Sequence, residues 1–249
     1  HALEGEGGND SSGVINFSSK LTSSKVLARY KRNSPILKGH SYSGSMIIGA
    51  ITEKSQLRRD FLAYLETERA HPYRTFFNYN SWYDIGYFNK YSEEDCLDVI
   101  RAFGEELVKK RGVVMDSLLF DDGWDNDETL WKFHKDFPNG FDKVRQETEK
   151  YGMKPGIWLS PWGGYGKPRQ RRVAAGIKNG YEVYINKEDS YKSVFKMSGP
   201  KYYKRFSDIC LEMVNKYGVN QFKFDGIGGN SGAGAGDFAP DFEAALKLI

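Results

Sequence analysis

The sequence predicts an α/β fold built on parallel strands, and three observations predict it. Buried-looking strands alternate with amphipathic helices from residue 74 to residue 225. The helices stop at glycines, Gly112, Gly152 and Gly218. Polar and aromatic residues gather directly after each strand, where parallel α/β folds place their sites. Strand and helix at this spacing imply right-handed crossovers, hence either a (β/α)8 barrel or a doubly wound sheet. Four units fill about 180 residues, whereas a closed barrel needs eight units and typically ~250. The chain therefore reads as the first half of a barrel.

The elements follow in order. Residues 1–13, HALEGEGGNDSSG, form a flexible lead rich in Gly, Ser and acid. Residues 14–70 hold short β-like runs at Val14–Phe17, Lys25–Tyr30 and Ser45–Thr52, read as the end of a β-domain. A helix from Lys54 to Arg69 follows, with Leu57, Phe61, Leu62 and Leu65 at helical spacing. Residues 71–249 carry the repeated unit. Strand one is Arg74–Asn80, and Ser92 with Asp95 forms a capping box for a helix bearing Cys96, Val99, Ile100, Phe103 and Leu107 on one face. Strand two is Val113–Phe120, followed by a helix at Phe141–Tyr151. Strand three is Met153–Leu159, followed by a helix at Lys201–Tyr217. Strand four is Val219–Asp225, and a further helix begins near Asp241. The connection from Gly163 to Gly199 is long and contains a strand-like piece, Tyr181–Ile185.

Composition narrows the function classes. With 39% hydrophobic, 15% aromatic and 28% charged residues, the chain is globular rather than disordered. The formal net charge is only +3, and the one dense basic run, Lys167–Arg172, reads as a solvated loop, so nucleic acid is not an expected partner. No apolar run reaches the ~18 residues of a membrane span, and no signal peptide is visible. Cys96 and Cys210, far apart and on apolar helix stripes, read as buried thiols, which excludes a disulfide scaffold. The four histidines lack ligand spacing, so no metal site is expected, and neither a GxSxG elbow nor a phosphate loop of the GxGxxG or GxxxxGK[ST] kind occurs. The glycine run Gly226–Gly236 has no clear helix behind it to make it a phosphate cradle.

The chemistry clusters in four loops: Ser81-Trp82-Tyr83-Asp84, Asp121-Asp122-Gly123-Trp124-Asp125, Ser160-Pro161-Trp162-Gly163-Gly164 and Asp225-Gly226. Asp225 follows Phe222-Lys223-Phe224 directly and precedes glycines, so no helix start accounts for it. Lys223, two residues earlier, shares its side of the strand, and its ammonium is expected to hold Asp225 ionised, as a nucleophile requires. Asp121 and Asp122 crowd like charges together, fit either to bind hydroxyls or to raise one carboxyl for acid work. Trp82, Trp124 and Trp162 lie in loops beside carboxylates, whereas Trp158 lies inside strand three and suits the core. Aromatic faces with paired acids match the apolar face and hydroxyl rim of a sugar ring, which makes carbohydrate the expected ligand class.

Three segments in register, LLFDDGWD (Leu118–Asp125), FPNGFDKVRQETEKYGMKPGIWLSP (Phe137–Pro161) and FKFDG (Phe222–Gly226), resemble the clan D glycoside hydrolases. These are the α-galactosidases and α-N-acetylgalactosaminidases, family 36 above all. The resemblance covers about residues 72–229, and the residues before it resemble the end of the β-sandwich that precedes the barrel in that family. It implies Asp225 as nucleophile, Lys223 as a substrate-hydroxyl ligand, Asp121 and Asp122 as the acidic pair on the galactose hydroxyls, Trp124 as the aromatic beside them and Trp82 as a wall of the sugar pocket, while Trp162 is expected to bind substrate from its place in the loop after strand three. It also implies a retaining mechanism on a terminal α-linked galactoside without a cofactor, and an acid/base residue on a sixth strand, beyond Ile249. The family continues differently after the K-aromatic-D motif, where this chain has Gly226-Ile227-Gly228-Gly229, which leaves the exact sugar open. On this reading the 249-residue chain is itself expected to be inactive or nearly so. Its open barrel edges are expected to favour self-association, and a secreted or periplasmic location is favoured. The alternatives are a non-catalytic carbohydrate-binding barrel and galactosyl transfer of the raffinose-synthase kind.

Overall fold

The computed structural model describes residues 52–87 and 89–226, the backbone of 16–18 and 27–29, and residues 241, 244, 245, 247 and 248. The expected lead at 1–13, most of the strand at Ser45–Thr52 and the glycine run after Gly226 lie outside the described residues. Strands β1 (Asn16–Ser18) and β2 (Leu27–Arg29) pair antiparallel. Helix α1 (Leu57–Glu68) forms where the apolar spacing predicts it, yet buries none of its residues among those described.

The repeated units follow. Strand β3 (Asn78–Asn80) leads to α2 (Glu93–Phe103), whose start is the predicted capping box, with Ser92 Oγ accepting the Asp95 amide and Asp95 accepting that of Ser92. A π-helical turn, Gly104–Lys109, prolongs α2 before Gly112 stops it. Strand β4 (Ser117–Phe120) is followed by the small antiparallel pair β5 (Asp125–Asn126) and β6 (Lys132–Phe133), then by α3 (Asp142–Glu149). Strand β7 (Lys154–Leu159) precedes α4 (Gly166–Lys178), the pair β8 (Val183–Tyr184) and β9 (Val194–Phe195), α5 (Pro200–Asn215) and β10 (Gln221–Phe224). Gly112, Gly152 and Gly218 all have left-handed backbones, with φ of 67°, 70° and 68°. Each reverses the chain between a helix and the next strand, a conformation L side chains resist. Helix α5 starts at Pro200 and borrows its cap from the insertion, where the Glu182 carboxylate accepts the Tyr202 amide at 2.9 Å.

The four parallel strands lie in the order β3-β4-β7-β10, which is their order along the chain. A doubly wound sheet would reverse direction at a switch point. The sheet does not reverse; it curls, and the fold is half of a (β/α)8 barrel. Strand β4 is wholly buried and β7 buried beyond its first residue, whereas β10 is half-buried throughout. Within the sheet β3 and β10 are the edges among the described residues. The helix-facing core is aromatic: Phe120, Trp124, Phe133, Phe137, Phe141 and Tyr217 pack with centroid distances of 4.9–6.5 Å. Cys96 is buried and Cys210 half-buried, both as free thiols, and burial pushes the Cys210 thiol up to about 12.

One sequence expectation is corrected here. The basic run Lys167–Arg172 is not a solvated loop but the first half of α4, and Arg169 and Arg172 are buried. Arg169, Arg172, Val173 and Gly176 recur at the spacing of a helix's inward stripe, so two of the charges point into the protein. No helix among the described residues is long and apolar enough to cross a membrane.

Candidate active site

A cleft of about 620 Å³ opens at the C-terminal ends of the strands. Parallel pairing brings the four strand ends to one side, so residues from all four loops meet there. Asp225, Asp121, Asp122, Lys223 and Trp82 line it, together with Trp158, Tyr165 and Arg172.

Asp225 stands one residue beyond β10, its amide bonded to the Leu159 carbonyl at 2.9 Å. Its carboxylate is held at both oxygens: Trp158 Nε1 donates to Oδ2 at 3.0 Å and the Tyr165 hydroxyl donates to Oδ1 at 2.9 Å. Trp158 opposes Lys223 across the β7–β10 ladder and is 1% exposed, so one side chain both fills the inner face of the sheet and lines the cleft.

The expected partnership between Lys223 and Asp225 is replaced by another. Lys223 Nζ bonds Asp121 Oδ2 at 2.7 Å, with Asp121 1% exposed. Lys223 does lie on the concave side, as strand parity requires, but the curl of the sheet carries its ammonium across β7 to the loop after β4. The same ammonium lies 5.9 Å from the Trp82 ring centroid. Asp121 is held further by Ser81, whose Oγ accepts its amide at 2.8 Å, and Asp121 Oδ1 accepts the Asp122 amide at 2.8 Å.

Asp122 belongs to a second cluster built on Arg172, whose side chain is 1% exposed. The Arg172 Nε and Nη2 grip Asp125 bidentately at 2.9 and 2.6 Å, Nη2 also reaches Asp122 Oδ1 at 2.8 Å, and Nη1 donates to the Gly163 carbonyl at 3.1 Å. The guanidinium lies between two indoles, 4.7 Å from Trp131 and 5.4 Å from Trp158. Burial works against its charge, but Asp125 and Asp122 outweigh it and raise its pKa. Burial also pushes the Asp122 carboxyl up, opposed by Arg172 and aided by the neighbouring Asp125. Asp122 thus sits at the cleft with one oxygen tied to Arg172.

Two of the expected aromatic residues are not on the cleft. Trp124 is fully buried, and its indole N–H donates to the Trp158 carbonyl at 3.0 Å. It packs against Trp131, Phe133 and Phe141, a core residue adjoining an acidic pair only along the chain. Trp162 is 1% exposed and lies under Gly226. A Cβ at Gly226 would stand 3.1 Å from the Trp162 ring, and its φ is 82°, so glycine after Asp225 is required by this packing. The sequence reading missed Arg172 and Tyr165, and gave no role to Ser81 within the first loop. For Arg172 a signal existed, a charge on an apolar-stripe position of α4, and Ser81 had its place directly after strand one; Tyr165 carried none.

No protein-family model matches the sequence, and no curated protein matches it either. The fold does match solved structures. The α-galactosidase TtGalA from Thermus thermophilus, in complex with p-nitrophenyl α-D-galactopyranoside, aligns with a TM-score of 0.54 at 18% identity over 76% of this chain and 39% of that one. In complex with stachyose the same enzyme gives 0.53 at 16% identity, over 76% and 41%. The α-galactosidase from Lactobacillus brevis gives 0.51 at 18% identity, over 68% and 23%. The chain thus spans about two fifths or less of these structures. What it shares with them is the fold, an α-galactosidase-like partial (β/α)8 barrel.

Proposed function

We propose that the cleft is the nucleophile-bearing half of a retaining α-glycosidase site of the family 36 kind, acting on terminal α-galactosides. The observation that carries this reading is Asp225. Its carboxylate stands at a strand end in a cleft shared with four further acids, Asp121, Asp122, Asp125 and Asp127, and both its oxygens are oriented by neutral donors, Trp158 and Tyr165. Asp121, steadied by Lys223, and Asp122, with one oxygen tied to Arg172, present acceptors to sugar hydroxyls, while Trp82 offers a ring face. The Thermus relative's complexes with a nitrophenyl α-galactoside and with stachyose agree with a galactoside as ligand.

In the reaction an Asp225 oxygen attacks the anomeric carbon, a carbon–oxygen ester bond forms, and the glycosidic bond breaks as the leaving oxygen takes a proton. Water then attacks the same carbon, gives up a proton and releases Asp225 with retained configuration. The proton donor is a second carboxyl group about 5–5.5 Å from the nucleophile, contributed on this reading by a sixth strand, two beyond β10. Strands β1 and β2 are read with it, as part of the end of a preceding β-sandwich.

A fluoride leaving group departs without protonation, so 5-fluoro-α-D-galactosyl fluoride tests the nucleophile without the acid. The expected outcome is a covalent adduct on Asp225, located by peptide mass mapping and missing in Asp225→Ala. An adduct on another residue, or reversible binding with no adduct under any condition, overturns the proposal; the latter leaves a carbohydrate-binding barrel.

A further inference from the structure

The charged residues of the cleft separate by depth. The floor holds Asp121, Asp122, Asp125 and Asp225 against Lys223 and Arg172, a formal charge of −2 from six residues exposed by about a third or less. The mouth holds Lys90, Lys167 and Arg171, whose one carboxylate partner, Asp127, is itself buried beneath them, a formal charge of +2. Lys90 and Arg171 are 47% and 43% exposed and share that one carboxylate, at 3.8 and 2.5 Å, while Lys167 stands exposed at the start of α4. A neutral polyhydroxyl ring suits the floor. The mouth is where the rest of a terminally bound glycoside must leave, and its net positive charge faces that part.

Resting on the proposed galactoside reading, we infer that Lys90, Lys167 and Arg171 form an aglycone subsite for an anion, so that the preferred substrates are α-galactosides whose next residue carries a carboxylate or sulfate group. Neither the galactose-binding acids nor Asp225 needs these cations. They line the exit of the cleft, and the arrangement selects the charge of the leaving group rather than the ring.

Binding is followed by the fluorescence of Trp82 and Trp158 on the cleft wall, in the whole 249-residue chain, with four aryl α-D-galactopyranosides: phenyl, 4-carboxyphenyl, 4-sulfophenyl and 4-(aminomethyl)phenyl. At low salt the carboxylate and sulfonate ligands should bind about five- to tenfold tighter than the phenyl ligand and the ammonium ligand weaker, the difference shrinking as salt approaches 0.5 M. Lys167→Glu, an exposed position, should abolish most of the preference and leave phenyl galactoside binding unchanged. The carboxylate and sulfonate arms show which anion is favoured. Equal affinity for phenyl and anionic ligands, with phenyl galactoside bound, overturns the subsite and leaves the galactoside reading standing. Failure of all four to bind refutes the galactoside reading, and the subsite with it.

Discussion

Replacing Arg172 by Met keeps much of the side chain's length and its packing between Trp131 and Trp158 but removes the guanidinium. Four hydrogen bonds disappear, two to Asp125 and one each to Asp122 and the Gly163 carbonyl. Asp125, 2% exposed at its side chain, and Asp122, at 22%, are left together without their cation. Removing one partner of a buried pair costs about 3–5 kcal/mol, because the remaining charge is buried uncompensated. That is a large part of the ~5–15 kcal/mol that stabilises a typical domain, and corresponds to roughly 6–20 °C in melting temperature for a chain of this size. The loss has a pH signature. Burial already raises Asp122, and Arg172 is the cation that opposes the rise, so in the variant Asp122 titrates higher still. A carboxyl whose folded pKa lies above its unfolded value contributes stability that is complete below the unfolded pKa and is lost as pH rises through the folded one. Arg172→Met should therefore lie closest to wild type near pH 4.5 and fall furthest below it near pH 7.5. Thermal or urea melts at the two pH values measure this, and adding Asp125→Asn should restore part of the loss at pH 7.5. A loss below about 1 kcal/mol, or one independent of pH, would refute the idea that this guanidinium neutralises the acids of the site.

Three further outcomes are expected. Lys223→Met strips the ammonium from buried Asp121 and should cost about 2 kcal/mol, less than a fully buried pair because Lys223 is partly exposed; it should weaken phenyl α-galactoside binding at least tenfold, which titration calorimetry reads. Gly176→Ala places a methyl group 2.3 Å from the Phe195 ring, so it should destabilise by about 1–3 kcal/mol in melts and loosen the β8–β9 pair in hydrogen exchange. Tyr165→Phe removes the donor to Asp225 Oδ1 from a residue 42% exposed; the melting temperature should hold while labelling by 5-fluoro-α-D-galactosyl fluoride slows about tenfold, as loss of a hydrogen bond to a charged group predicts.

Much of the fold was legible because it depends on near neighbours in the chain. The Ser92–Asp95 capping box, the helix stripe of Cys96, Val99 and Ile100, and the three left-handed glycines are local devices, and each reappears in place. Strand parity was legible too, and it put Lys223 on the cleft side with Asp225. The tryptophans were misread for a physical reason: Trp124 lies three residues from Asp121 in sequence, but a turn between them leaves the Asp121 side chain on the cleft and puts the Trp124 indole in the core. Arg172 was misread because density of charge in a run says nothing about which members a helix turns inward.

Taken alone, the amino-acid order determined that strands and helices alternate, where α2, α3 and α5 lie, and that acids and aromatic rings collect after the strands; α4, read as a loop, was not among them. These follow from propensity, capping and periodicity, forces that act within a few residues. Which cation meets which acid was decided only in three dimensions. Lys223 and Asp121 are 102 residues apart, and Arg172 and Asp122 are 50. They meet because the strands lie in chain order and the sheet curls, which draws the ends of β4 and β10 together across β7. Curvature is a property of the assembled sheet, and no single segment carries it.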